Sequence, residues 1–167
     1  MKAKNIIRLL CESLLLAAVI IGMYIHNTKS GEKKNVIFKR YKKYYELTTV
    51  WLSQILSDKD SVKEYLDSSG FKKIAIYGMG SIAELLSKQF ERYADVEIKY
   101  YIDRNGRELF YGLNGLEVVD VEGIAEMEEV DVIIVTAIAD YDEIMSEIGK
   151  KVSNVKVVSL EEIVNNN

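Results

Sequence analysis

The segment Gly78-Met79-Gly80-Ser81-Ile82-Ala83 places two glycines one residue apart, with a small residue three positions after the second. Glycines at this spacing allow a sharp turn of the main chain and let a pyrophosphate approach the backbone without meeting a Cβ atom. A helix beginning here would present free N–H groups and the positive end of its dipole to an anion. The pattern therefore favours the binding of a phosphorylated ligand.

A carboxylate follows at the distance that a nucleotide site of this type requires. Asp103 ends the apolar segment 96–103 and comes twenty residues after Ala83. In a dinucleotide-binding fold, an acid at this place accepts hydrogen bonds from the ribose hydroxyls of the adenosine. Because a carboxylate repels a 2′-phosphate, Asp103 favours NAD over NADP, although the positive charge of Arg104 weakens this preference.

Strands alternating with helices must position these residues. Short apolar segments predict five strands, at 73–77, 96–103, 115–120, 130–136 and 155–160, with helical segments such as 141–149 between them. This alternation predicts a Rossmann-like, doubly wound parallel sheet in the order 3-2-1-4-5. Ligands of such sheets bind at the carboxyl ends of the strands, here at the switch point between strands 1 and 4. The candidate cofactor-binding residues gathered there are Gly78, Met79, Gly80, Ser81, Ile82, Asp103, Arg104, Thr136 and Ala137.

Residues that carry catalysis are scarce in this sequence. Its one cysteine, Cys11, and its one histidine, His26, both lie in the N-terminal region, and no Y-x-x-x-K pair follows the fourth strand. We therefore expect no metal site and no recognisable nucleophile or acid–base set. Segment 140–142 lies near the predicted crevice and offers Asp, Tyr and Asp for proton transfer, but we interpret Asp140 as a helix cap. The sequence favours a binding protein over an enzyme.

An apolar run near the N-terminus predicts a membrane anchor. Residues 9–25 contain one charged residue, Glu12, and with Ile6 and Ile7 the run extends over 6–25, about the length of a membrane-spanning helix. No small-x-small exit for signal cleavage follows it, and residues 14–21 have no polar face, so a buried helix of a soluble protein is the main alternative. Three basic residues precede residue 9 and seven lie between residues 26 and 45, which predicts a single-pass protein with a cytoplasmic C-terminal domain.

Charge is divided unevenly along the chain. Residues 1–45 hold ten Lys and Arg against two Asp and Glu, whereas residues 46–167 hold twelve against twenty-four. Segment 38–45 interleaves bases with aromatic residues, which suits an anionic leaflet; the alternative is a solvated helix face whose tyrosines pack on the domain. Because the body of the chain is acidic, we expect no nucleic acid partner.

Three predicted segments connect the apolar run to the glycine turn. A polar linker over 27–34 leads to a helix over 35–56, and a second helix begins at Asp60 or Ser61 and ends at Gly70. The residues predicted to face inward are Ile37, Tyr41, Tyr44, Thr48, Trp51, Leu52 and Ile55 of the first helix, Val62, Tyr65 and Leu66 of the second, and Ile82, Leu85, Leu86 and Phe90 of the helix after the glycine turn. Trp51 is interpreted as a packing anchor. The predicted domains are a membrane anchor (1–26), a basic linker with lead-in helices (27–70) and a nucleotide-binding domain (71–167).

The segments KKIAIYGMGSIAELL (72–86), YYIDRN (100–105) and VDVIIVTAI (130–138) resemble the Rossmann-like domains of bacterial surface-polysaccharide biosynthesis proteins. The N-terminal domain of the sugar O-acyltransferases that modify nucleotide-linked sugars is one such relative, and the resemblance covers about 45–165. It implies that Gly78, Gly80 and Asp103 contact a nucleotide or nucleotide sugar. The hexapeptide-repeat β-helix that carries the acyltransferase active site has no counterpart here, so the resemblance does not extend to acyl transfer.

Three functions are compatible with these observations. The favoured one is a membrane-tethered module that binds NAD or a nucleotide sugar for a polysaccharide-assembly enzyme. The second is a small NAD-dependent oxidoreductase or sugar-modifying enzyme that is completed by homodimerisation. The third is an interaction domain without a ligand, in which the helix around Trp51 mediates assembly.

Overall fold

Five parallel strands and the helices between them make up the part of the chain that the computed structural model describes, residues 33–106 and 114–165. The strands are β1 (Lys73–Tyr77), β2 (Glu97–Ile102), β3 (Val118–Val119), β4 (Val132–Val135) and β5 (Lys156–Ser159). The chain is helical over 33–56 (α1), and the later helices are α2 (Ser61–Ser69), α3 (Ser81–Phe90), α4 (Tyr141–Gly149) and α5 (Leu160–Asn165), with 3-10 helices at Val121–Glu126 and Ile138–Asp140. The sheet order is β3-β2-β1-β4-β5, which confirms the predicted Rossmann-like order.

The two central strands, β1 and β4, are covered on both faces. Every residue of β4 is buried, as are the four residues 74–77 of β1. The two strands pair in parallel from Ile74 opposite Val132 to Tyr77 opposite Val135. Continuous apolar runs such as KIAIY and VIIV suit strands with helices on both sides, which explains why these strands are readable from the sequence.

The strand predicted at 115–120 is wrong in its first half. Asn114 and Gly115 have positive φ angles of 53° and 78°, so they form a turn, and β3 begins only at Val118. The strand ends at Val119 because the Asp120 carboxylate accepts a 3.0 Å hydrogen bond from Gly123 N and caps the following 3-10 helix. The first predicted strand is present with the same bounds as β1, and the second, fourth and fifth are present with slightly shorter ends.

Helices cover the sheet in two layers. One layer packs residues of α1, α2, α3 and α5 against the side chains of Ile74 and Ile76. The other packs α4 and the 3-10 helix 121–126 against Ala75, Tyr77 and Ile102. Because side chains alternate across a strand, successive residues of β1 supply the two cores in turn.

A buried polar network fixes α2 and the C-terminal part of α1. Asp60 caps α2 by accepting a 3.1 Å hydrogen bond from Lys63 N, and its carboxylate also accepts hydrogen bonds from Gln89 Nε2 at 2.7 Å and Tyr93 Oη at 2.6 Å. The indole of Trp51 donates to Gln89 Oε1 at 2.8 Å. Trp51 is buried, which confirms it as a packing anchor.

Several predicted inward faces need correction. On α3, Leu85 is 47% exposed, whereas Ser87 and Gln89 are buried. These two polar side chains tolerate burial because they have partners: Ser87 Oγ donates to Ala83 O at 2.7 Å, and Gln89 bonds to Trp51 and Asp60 as above.

On α1, the predicted stripe is partly wrong as well. Leu47 was not predicted and is buried, whereas Leu52 is exposed. Ile37 and Tyr41 are also exposed. The predictions hold for Trp51, which is buried, and for Tyr44, Thr48 and Ile55, which are partly buried. The inward stripe of α1 is therefore narrower than its apolar composition indicates.

The chain divides into two compact units, Met1–Lys42 and Lys43–Asn167. Of the first unit the structure describes residues 33–42, which are helical, so the predicted linker 27–34 is wrong at its last two residues. Among residues 33–106 and 114–165, no helix is both long and apolar enough to span a bilayer. The predicted membrane segment 6–25 lies outside the described residues, as do linker residues 27–32.

Candidate functional site

The glycine turn after β1 depends on Gly78. This residue has φ +107°, a conformation that side chains rarely adopt, and its N–H donates a 2.8 Å hydrogen bond to Ile102 O at the end of β2. A Cβ at this position would lie 2.5 Å from Thr136 Oγ1. The buried Thr136 hydroxyl donates to Tyr77 O at 2.8 Å, which ties the end of β4 to the end of β1. Both backbone conformation and close packing therefore require glycine at position 78.

Gly80 has a different environment, although it belongs to the same motif. It is the N-cap of α3 with φ −82°, and no atom lies within 4 Å of the place where its Cβ would be. No side chain caps α3, and the amides of Ser81, Ile82 and Ala83 have no hydrogen-bond acceptor among the described residues. Such amides together with the helix dipole form a site that is suited to an anion.

A cavity of about 370 Å³ lies at this helix end. Eight of the nine predicted site residues line it: Gly78, Met79, Gly80, Ser81, Ile82, Asp103, Thr136 and Ala137. Tyr44 of α1 also lines the cavity, and sequence reasoning missed it as a site residue because its place depends on the packing of α1. The topology therefore gathers the predicted residues from the ends of β1, β2 and β4 around one hollow.

The Asp103 carboxylate lies at the edge of this cavity, held by a turn. Its Oδ1 accepts a 3.0 Å hydrogen bond from Asn105 N, and its carbonyl accepts one of 3.0 Å from Gly106 N. Oδ2 has no hydrogen-bond partner among the described residues and can accept a bond from a ligand hydroxyl. A Cβ at Gly106 would lie 2.5 Å from Val119 O, so this turn also requires a glycine, which sequence reasoning did not single out.

Arg104 is the predicted site residue that does not line this cavity. Its guanidinium forms ion pairs with Glu143 at 2.7 Å and Glu147 at 3.5 Å, both on α4. It lines an adjoining cavity of about 240 Å³ instead. Tyr77, Gly78, Asp103, Asn105, Ala137, Asp140 and Ile144 complete the lining of that second cavity. The two cavities share Gly78, Asp103 and Ala137, so they adjoin across the glycine turn.

The acidic and aromatic residues of segment 140–142 lie at the start of α4. Asp140 is the N-cap residue of α4, as predicted, but its side chain makes no capping hydrogen bond. The Tyr141 hydroxyl donates to Val157 O at 3.2 Å, and Asp142 is exposed.

Comparison with known proteins gives little further guidance. No protein-family model matches the chain, and no curated protein matches it. The crystal structure of UDP-D-quinovosamine 4-dehydrogenase from Vibrio fischeri is similar, with a TM-score of 0.46 and 17% sequence identity over 57% of this chain and 85% of that chain. At this level of likeness, the fold is assigned from the topology of this chain itself.

Proposed function

We propose that this chain binds a nucleotide or nucleotide sugar, of the NAD or UDP-sugar class, at the glycine turn between β1 and α3. The observation that carries the proposal is the row of unpartnered amides in the first turn of α3, which faces a cavity of about 370 Å³. A hollow of this kind at the carboxyl edge of a parallel sheet is the usual ligand site of the fold.

The residues that line this cavity indicate where the phosphate and the sugar of a ligand would lie. No lysine or arginine of the described chain lines this cavity, so a phosphate would be held by main-chain amides and the α3 dipole alone. Asp103 adds a negative charge at the edge, where it suits ribose or sugar hydroxyls and opposes a further phosphate. We therefore expect moderate affinity, and a preference for NAD over NADP.

The proposal also includes a membrane anchor and a role in the cell. Residues 6–25 would anchor the chain in a membrane, and the excess of basic residues after them would hold the C-terminal unit in the cytoplasm. The resemblance to polysaccharide-biosynthesis domains supports a role beside enzymes that assemble lipid-linked saccharides. In this role the chain would present its ligand to a partner enzyme.

Calorimetric titration of the full-length chain, in mild detergent, tests the binding proposal. NAD⁺, NADH, UDP-sugars and coenzyme A are titrated against the wild type and the Gly80→Val variant, because a Cβ at Gly80, which lines the cavity, would have no protein atom within 4 Å. We expect saturable binding of one class and at least about tenfold weaker binding to the variant. Leu85→Ala, an exposed position on the same helix, is the matched control. Absence of saturation with every ligand at millimolar concentration overturns the proposal.

An interaction domain without a ligand is the second candidate function, because α1 carries exposed apolar side chains. Tyr45, Leu52 and Leu56 are 73%, 53% and 76% exposed. If this helix joins two copies of the chain, Leu52→Glu should reduce self-association in light scattering, whereas Gly80→Val should leave it unchanged. If Leu52→Glu leaves self-association unchanged and Gly80→Val reduces it, the interaction-domain function is excluded.

A further inference from the structure

Tyr77, the last residue of β1, carries a buried hydroxyl without a hydrogen-bond partner. The residue is 3% exposed, and among the described residues no other buried side-chain nitrogen or oxygen lacks a partner. Leaving a buried hydroxyl unpaired is unfavourable, and native proteins rarely do so without a functional reason. The residue lines the 240 Å³ cavity that adjoins the glycine turn.

Arg104 lies next to this hydroxyl. Its guanidinium lowers the pKa of Tyr77 through its positive charge and a hydrogen-bond interaction, which burial outweighs, yet no hydrogen bond of normal geometry reaches the hydroxyl. The Arg104 side chain is 49% exposed and is held by Glu143, which is exposed, and Glu147, which is half-buried. Ion pairs at an exposed surface are weak, so Arg104 can move aside when a ligand group enters the cavity.

The charges around the second cavity select against an anionic group. Asp103 and Asp140 line it, and Arg104 is already neutralised by two carboxylates of α4. A volume of about 240 Å³ is several times the ~30 Å³ that one water molecule occupies in the liquid, so a ring fits. The group that enters is therefore polar, uncharged and of ring size.

We propose that this second cavity holds the nucleobase of the ligand and that the Tyr77 hydroxyl donates a hydrogen bond to a carbonyl oxygen or ring nitrogen of the base. The inference rests on the proposed function, because the phosphate would lie at the first turn of α3 in the adjoining cavity. Burial raises the pKa of Tyr77 against the opposing effect of Arg104, so the hydroxyl keeps its proton at neutral pH and acts as a donor.

Removal of the hydroxyl alone tests the inference. UDP, ADP and inorganic pyrophosphate are titrated into the full-length wild type, Tyr77→Phe and Tyr100→Phe. Tyr100 is the matched control, since it is buried on the same face of the sheet but lines a different cavity. For Tyr77→Phe we expect about tenfold weaker binding of the nucleoside diphosphate that the wild type binds, and unchanged binding of pyrophosphate. Without ligand, the unfolding temperature of Tyr77→Phe should equal or exceed that of the wild type.

The possible outcomes separate the inference from the proposed function. If the wild type binds neither UDP nor ADP, the inference fails, and the proposed function fails with it only if NAD⁺, NADH, UDP-sugars and coenzyme A also show no saturable binding. If Tyr77→Phe binds the nucleotide as tightly as the wild type, only the inference fails. It also fails if Tyr77→Phe weakens pyrophosphate binding equally, or if the variant unfolds at a lower temperature, because the hydroxyl then acts on the phosphate site or on the fold.

Discussion

The hydroxyl of Thr136 occupies the space in which a side chain at Gly78 would begin. Oγ1 lies 2.5 Å from the position of a Cβ on Gly78, and the same oxygen donates a 2.8 Å hydrogen bond to Tyr77 O. The ends of β1 and β4 can therefore approach each other this closely only with glycine at the start of the turn. The shape of the candidate cavity depends on this contact.

Gly78→Ala should destabilise the protein by about 2–4 kcal/mol, because a positive φ and a steric overlap add together. Urea denaturation measures the change, with Gly80→Ala as the control at about 1 kcal/mol or less. Combining Gly78→Ala with Thr136→Ala should cost less than the sum of the single variants, since the overlapping oxygen is gone. Thr136→Ser, which keeps the oxygen, should give no such relief; strict additivity in both pairs would contradict the geometry.

Asp103→Asn should weaken the binding of a ligand with a free ribose diol by about five- to tenfold. The variant keeps Oδ1, and hence the bond from Asn105 N, but loses the negative charge. Calorimetry with NAD⁺ and NADP⁺ is the measurement, and the ratio of the two affinities should shift towards NADP⁺. Asp95→Asn, an exposed acid away from the cavity, is the control. If the ratio of the NAD⁺ and NADP⁺ affinities is unchanged, Asp103 does not contact the ribose.

The stability of the sheet should depend on pH through Asp131. Its Oδ2 accepts hydrogen bonds from Lys72 N at 2.7 Å and Lys73 N at 2.8 Å. The backbone N–H groups of Lys73 and Lys72 lower the pKa of this carboxyl. A depressed folded-state pKa stabilises the fold above the unfolded pKa of about 3.9, and this contribution disappears as pH falls through the folded value.

Asp131→Asn should therefore destabilise the protein by about 1 kcal/mol at pH 7, a value that allows for solvent screening. The difference from wild type should shrink below about pH 4, where the wild-type carboxylate also takes up its proton. Chemical denaturation at a series of pH values tests this, with Glu129→Gln, in the segment that leads to the same strand, as the control. A difference that stays constant down to pH 2 would exclude Asp131 as the cause.

Cell fractionation tests the proposed membrane tether. The full-length chain should sediment with membranes and resist a high-salt wash, because an apolar segment of this length does not dissociate with ionic strength. A chain that begins at residue 33 should be released by salt, since only basic residues would then attract it to an anionic surface. Release of the full-length chain by salt would refute the anchor.

The sequence was most informative where structure depends on neighbouring residues. Continuous apolar runs predict β1 and β4, because a strand covered on both faces has no polar positions. The glycine turn was readable for the same reason: its conformation is determined within a few residues. Eight predicted site residues meet at one cavity because the order of a parallel sheet follows from the alternation of elements.

Features that depend on distant partners were missed. Gln89 is buried because it bonds to Trp51 and Asp60, which lie far away in sequence, whereas Leu85, predicted to face inward, is exposed. Gly106 is needed only because the backbone of Val119 lies against it. Likewise, nothing in the local pattern around Tyr77 indicates that its hydroxyl lacks a partner.

Because the space beside Gly80 is open, a substitution at this position can change ligand binding with little effect on the stability of the fold. Since no protein atom lies within 4 Å of a Cβ at position 80, alanine and valine there form a series of increasing size whose first added atom meets no part of the fold. Such a series measures the distance between the backbone of residue 80 and a bound ligand. The size of the side chain at which ligand binding is lost gives that distance.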